Sequence, residues 1–90
     1  MLNILYHSQF KKDYKRAVRR GCNPELLSGI ITMLANREAL PAVNRDHALT
    51  GNYKGMRECH IQPDWLLIYQ IRDEELVLAL VRTGSHSDLF

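Results

Sequence analysis

The sequence predicts an α+β domain: one strand, an antiparallel pair of helices, then an antiparallel β-meander with the helices on one sheet face. Two observations carry this expectation. Apolar residues recur at helical spacing in two adjacent segments between residues 8 and 35, whereas residues 56 to 81 alternate or are apolar on both faces. A change of period from 3.6 to 2 along the chain separates a helical layer from a sheet layer. Ninety residues leave room for one core, so residues 1–90 are expected to form a single domain.

Each element has its own signal. Leu2, Ile4 and Tyr6 alternate with Asn3 and Leu5, which predicts an opening strand at or near a sheet edge. Ser8 is placed to cap a first helix, along which Phe10, Tyr14, Ala17 and Val18 form the buried stripe until Gly21 supplies a stop. Lys11, Lys12, Lys15, Arg16 and Arg19 occupy its opposite face. Asn23, Pro24 and Glu25 suit the free amides and positive end of a second helix, whose stripe is Leu27, Ile30, Ile31 and Leu34. The short link between them makes a hairpin. Residues 37–55 read mostly as connector, with a short strand near Ala48 and Leu49. Met56 to Gln62 alternates, placing Glu58, His60 and Gln62 on one face and Arg57, Cys59 and Ile61 on the other. Trp65 to Ile71 and Leu76 to Val81 read as central strands joined by a turn over Arg72 to Glu75, and a tail RTGSHSDLF follows.

Composition narrows the function classes. A chain 46% hydrophobic and 24% charged can fill a core, which excludes wholesale disorder. No apolar run approaches the ~20 residues of a membrane span, and the start MLNILYHSQFKK lacks the order of a secretory signal. A soluble, cytoplasmic protein with no membrane partner is expected. Two cysteines without zinc-type spacing read as free thiols. Net charge is only +2, but residues 1–20 carry +5 and residues 21–90 carry −3, so positive charge gathers on the first helix. Such a face suits a phosphate backbone, or is simply solvated.

His47, His60 and His86 fall in the connector, on a strand and in the tail, near acids. An unperturbed imidazole titrates near neutrality, so two of them can divide the base and acid roles of a proton transfer; the alternative is three surface histidines. Three histidines with Asp64 also compose a possible metal set, although separations of 13 and 26 residues match no compact ligand pattern. Cys59 beside His60 is a poor thiol dyad, because neighbouring strand residues point to opposite faces. Arg82, read on the Leu76, Leu78 and Leu80 side of the last strand, can clamp a phosphate bidentately or form a structural ion pair with Asp64 or Glu58. Trp65 and Phe90 offer flat faces for stacking bases, with core packing the competing role for Trp65.

The segment DHALTGNYKGMRECHIQPDWLLIYQI and the closing RTGSHSDLF resemble the YafQ branch of the RelE/ParE toxin superfamily, and the resemblance spans nearly the whole chain. It implies a RelE-like α+β fold and a toxin that enters the ribosomal A site and cuts mRNA there without metal or cofactor. His47, His60, Asp64 and His86 match that family's acid–base residues, Arg82 its phosphate-contacting arginine, and Trp65 and Phe90 its aromatic active-site residues. Lys11, Lys12, Lys15 and Arg16 would then face ribosomal RNA. The implied partners are a cognate antitoxin, the ribosome with its mRNA, and operator DNA reached through the antitoxin complex. Two other functions stay open: a ParE-like poison that blocks DNA gyrase without cutting nucleic acid, and a non-catalytic nucleic-acid-binding regulator.

Overall fold

The computed structural model describes all residues, 1–90. In chain order it contains β1 (Asn3–Tyr6), α1 (Ser8–Arg19), α2 (Pro24–Ala35), β2 (His47–Ala48), β3 (Arg57–Gln62), β4 (Trp65–Arg72), β5 (Val77–Gly84) and α3 (His86–Leu89), with single 3₁₀ turns at Ala42–Asn44 and Gly51–Tyr53. The five strands form one sheet in the order β1-β5-β4-β3-β2. β2 to β5 are antiparallel neighbours, the predicted meander. β1 joins the outer edge of β5 in parallel, with Ile4 opposite Leu78, so the sheet is mixed.

The helix hairpin covers one face of this sheet. Phe10, Ala17, Leu27, Leu34 and Ala35 from the helices pack with Leu2, Cys59, Trp65, Leu67, Tyr69, Leu78 and Leu80 in the main core. Burying each large apolar side chain contributes roughly 1.5–3 kcal/mol. The reverse face is not bare. Leu66, Ile68, Val81 and Leu89 form a second cluster, with Leu49, Tyr53 and Met56 against it. α3 and the segment around the second 3₁₀ turn therefore close the far side of the sheet, which is why β4 and β5 are apolar on both faces.

Several local expectations need correction. α1 begins at Ser8, but its cap is His7, with no side-chain bond, because the Lys11 amide already reaches the His7 carbonyl oxygen (3.1 Å). The Asn23 cap is present, its side chain accepting from the Glu25 amide at 3.0 Å. Val18 is exposed, and the buried polar member of the α1 stripe is Asp13. Arg82 to Gly84 belong to β5 rather than to a tail, and α3 follows under a capping box in which Ser85 and Asp88 satisfy each other's backbone amides. The register of β4 and β5 shifts between Ile68 and Tyr69, whose partners are Arg82 and Leu80. The residue skipped, Val81, breaks the alternation, so Arg82 shares a face with Ile68 and not with Leu78 and Leu80.

Leu76 lies in the β4–β5 turn, exposed, with φ of +54°. A left-handed conformation costs an L-residue roughly 1–2 kcal/mol, against a smaller entropic cost for glycine. Leu76→Gly is expected to raise unfolding free energy by about 0.5–1 kcal/mol, read from urea denaturation with an unchanged slope.

Candidate active site

The histidines converge on the reverse face of the sheet, where β3 ends, α3 begins and the 47–53 segment crosses. Glu58 and His60 share that face because they pair with Ile68 and Leu66 across β3 and β4. His47 pairs with Glu58 across β2 and β3. The β3–β4 register shifts again between His60 and Gln62, and the ensuing turn carries Asp64 toward α3. Its Oδ1 accepts from the His86 amide at 3.0 Å and lies 3.5 Å from His86 Nδ1.

A continuous set of side chains results. Glu58 is buried, with Oε1 3.7 Å from His47 Nε2 and 3.6 Å from His60 Nε2. His47 Nδ1 lies 2.6 Å from the Arg45 carbonyl oxygen, and His60 Nδ1 lies 3.2 Å from that of Pro63. A ring nitrogen facing a carbonyl oxygen carries the proton, so proton exchange by each ring falls to Nε2, the nitrogen on the Glu58 side. The His60 and His86 rings are 5.9 Å apart, those of His86 and Phe90 6.0 Å, and those of Phe90 and Tyr53 5.7 Å. Phe90 is exposed, and its ring is tilted against the imidazole of His86.

Arg82 enters from β5 but is already engaged. Its Nε donates to Asp13 Oδ2 at 2.7 Å and its Nη2 to Asp13 Oδ1 at 3.1 Å, a forked pair. The acid is Asp13 of α1 and neither Asp64 nor Glu58. Hydrogen bonding to Asp13 raises the Arg82 pKa, and Tyr53 is a further neighbour. Burial pushes the Asp13 carboxyl up, but hydrogen bonds from Arg82, Gln9 and the Thr83 amide, together with the Arg82 charge, outweigh it, and the net shift is downward. Nη1 is left without a partner on Asp13, and Tyr53, the guanidinium's other neighbour, meets Phe90 edge to face.

α3 is held by charge. Arg20 Nη1 donates to Asp88 Oδ2 at 2.6 Å, and the same oxygen accepts from the Ser85 amide at 2.9 Å. The Arg20 bond, then that of Ser85, holds the Asp88 carboxyl well below the usual carboxylate range. Gly84 precedes this turn with φ of +157°, and a Cβ there would sit 2.8 Å from Asp88 Oδ2.

Three sequence expectations change. Trp65 presents no free face to a base: it is buried in the main core and its Nε1 donates to Thr83 Oγ1 at 3.0 Å. Arg16 is not free for a phosphate, since its Nη2 lies 3.3 Å from Asp13 Oδ1 and 3.7 Å from Asp88 Oδ2. Lys11, Lys12 and Lys15 are exposed, but apart from the histidines; Lys11 and Lys15 border a groove of about 430 Å³ with Tyr6, Phe10, Tyr14, Leu27 and Ile31. Conversely, Glu58 and Tyr53 join the site without having been singled out. The alternation that puts Glu58 beside His60 was the available signal. Cys59 points into the core, where burial pushes its thiol up to about 12, so it is no nucleophile. No group of three histidine, cysteine or acidic side chains is arranged to hold a metal ion.

A profile of the bacterial YafQ toxins of type II toxin–antitoxin systems matches residues 2–90. The mRNA interferase toxin YafQ of Escherichia coli K12 is 43% identical over 89 residues, covering 98% of this chain and 95% of that protein. A metal-bound toxin from Helicobacter pylori superposes with a TM-score of 0.94 at 46% identity over 100% of both chains. The toxin in the E. coli DinJ–YafQ complex does so with a TM-score of 0.90 at 42% identity, over 100% of this chain and 99% of that one.

Two outcomes follow from the charges around α3. A carboxyl whose folded pKa is depressed contributes stability that is complete above the unfolded value, ~3.9, and lost as pH falls through the folded one. Asp13 and Asp88 both act in this sense. Unfolding free energy is expected to drop below about pH 4, and the drop to be shallower in Asp88→Asn, measured by denaturant titration at stepped pH. Gly84→Ala, which forces Asp88 aside, is expected to cost about 1–3 kcal/mol and to move the ring resonances of His86 and Phe90 in NMR spectra.

Proposed function

The chain belongs to the YafQ family of toxins of bacterial type II toxin–antitoxin systems, and from that we infer an endoribonuclease that cuts mRNA, an mRNA interferase. The finer reading is that it cuts in the ribosomal A site, without metal or cofactor, and that the reaction is run by imidazoles. The observation that carries this reading is that residues distant in sequence meet: His47 and His60 flank the buried Glu58, and the ring of His60 lies 5.9 Å from that of His86.

The RNA supplies its own nucleophile. The 2′-hydroxyl attacks the adjacent phosphorus in line, the bond to the 5′-oxygen breaks, and a cyclic phosphate and a 5′-hydroxyl result. One proton leaves the 2′-oxygen and one arrives at the 5′-oxygen, so a base and an acid on opposite sides of the phosphate suffice. His60 and His86, with rings 5.9 Å apart, are spaced to bracket a phosphodiester. His86 serves as general acid, oriented by Asp64. His60, or His47 beyond Glu58, serves as base through Nε2, and Glu58 can pair with whichever ring holds the proton. Arg82 offers Nη1 to the phosphoryl oxygens, where charge accumulates in the transition state. Phe90, next to His86, supplies the exposed ring on which a base stacks.

Lys11, Lys12 and Lys15 lie outside the reaction and remain available to ribosomal RNA. The apolar groove between α1, α2 and β1 suits a partner, since β1 also leaves Ile4, Leu5 and Tyr6 exposed at a sheet edge. A cognate antitoxin is the partner this family implies, and the DinJ–YafQ complex shows a related toxin bound to one; operator DNA would be reached through such a complex. Function in the cytoplasm follows from a ribosomal target. No helix is long and apolar enough to cross a membrane.

Cleavage of a reporter mRNA in a translating extract tests the reading. Wild type is expected to cut, and His86→Ala to cut roughly 10² to 10⁴ times more slowly with an unchanged unfolding midpoint. Inhibition of DNA gyrase with mRNA left intact would replace the nuclease with the ParE-like alternative, and salt-dependent RNA binding without any cleavage would leave a regulator.

A further inference from the structure

Asp13 is the most completely buried acid of the chain, 1% exposed, yet it lies on the helix that otherwise carries the exposed lysines. Five donors surround its two oxygens. Oδ2 accepts from Arg82 Nε at 2.7 Å and from the Thr83 amide at 3.2 Å. Oδ1 accepts from Arg82 Nη2 at 3.1 Å, Gln9 Nε2 at 3.0 Å and Arg16 Nη2 at 3.3 Å. A carboxylate so saturated is fixed in place, and a guanidinium forked onto it has lost its rotational freedom about χ4. The Thr83 amide is the next backbone donor after Arg82 itself, so one carboxylate fixes both the arginine's head group and the strand from which it grows.

This arrangement has a consequence for a phosphate at Arg82. A free arginine would meet a phosphate with its Nε and Nη2 fork. Here that edge is spent on Asp13, and only the Nη1 edge remains, with Tyr53 as the further neighbour of the guanidinium. Resting on the nuclease reading above, we propose that Asp13 is a positioning residue for cleavage: it presents the Nη1 edge of Arg82 to the scissile phosphate in a fixed orientation. Asp13 itself touches no substrate. Its contribution is preorganisation, since a donor already aimed need not be ordered during the reaction.

A double-mutant cycle tests this. Single-turnover mRNA cleavage in the translating extract is measured for wild type, Asp13→Asn, Arg82→Ala and the double variant, with the unfolding midpoint of each. Asparagine retains an acceptor for the Thr83 amide but turns an NH₂ group or an uncharged oxygen toward the fork. Asp13→Asn is expected to lose on the order of 10²-fold in maximal rate, with little change in the toxin concentration giving half-maximal cleavage. In the Arg82→Ala background the same substitution is expected to cost nothing further. Asp13→Glu, which keeps the charge but displaces the fork, is expected to stay folded and remain slow.

An equal loss with and without Arg82, or a folded Asp13→Asn that cuts at the wild-type rate, overturns the proposal. Failure of both Asp13 variants to fold assigns the residue to stability alone and overturns it as well. Wild-type protein that leaves mRNA intact would instead sink the nuclease reading, and Arg82→Ala cutting normally would remove the arginine; both are read before any Asp13 variant is compared.

Discussion

A carboxylate taken out of water must be surrounded by donors or lose its charge, and that constraint organises the junction between helix and sheet. β1 covers the edge of β5 only as far as Leu80. Beyond it the backbone of β5 would present unpaired amides, and Asp13 reaches across from α1 to accept from the Thr83 amide. The same oxygens bind Arg82. One turn and two turns further along α1, Arg16 and Arg20 meet Asp88 of α3. The helix thus fixes the last strand and the last helix through alternating charge, where apolar packing alone would leave them free to slide.

That fixation matters because the sheet is packed on both sides. The main core lies under the helix hairpin, and the second cluster is small, built from four buried residues with Leu49, Tyr53 and Met56 at its margin. Its limited area gives it modest stabilisation, yet it supports the faces of β3 and β4 from which Glu58 and His60 project. The register shift at Val81 serves both layers: it buries Val81 with Ile68 and turns Arg82 onto the histidine side. Without that extra residue the strand's alternation would direct Arg82 into the core.

The sequence made the layers legible because they rest on periodicity: the helix stripes, the alternation of Met56 to Gln62 and the double-faced β4 and β5 are patterns of neighbours. The three histidines, Asp64 and Phe90 were legible as candidates, and their resemblance to a family order brought them together on paper before the fold did. What the sequence concealed depends on contacts across long separations. Asp13 sits among lysines and arginines and reads as one more solvated charge; only the fold shows 69 residues of separation closed by a 2.7 Å bond. Trp65 falls in a motif that invites a role at the surface, but strand parity gives it to the core with Leu67 and Tyr69. The bulge at Val81 leaves no signature a single sequence discloses, and it reverses the face assigned to Arg82.

The charges around the histidines also bear on how an RNA is met. Glu58 and Asp64 are the acids beside the imidazoles, Arg45 lines a hollow with His60, and Arg82 shares its charge with Asp13. Side chains balanced in this way have little net attraction for a polyanion, and the exposed lysines lie on α1. Under the proposed reaction such a site discriminates by geometry more than by binding: it does little for a phosphate passing through it, and acts when the chain is already held with its 2′-hydroxyl in line. Holding the strand then falls to something other than these residues. Under the proposed function, a ribosome that fixes the mRNA backbone in its decoding site would supply that constraint, and a division of labour between weakly attracting catalytic side chains and an external template would let so small a protein be selective.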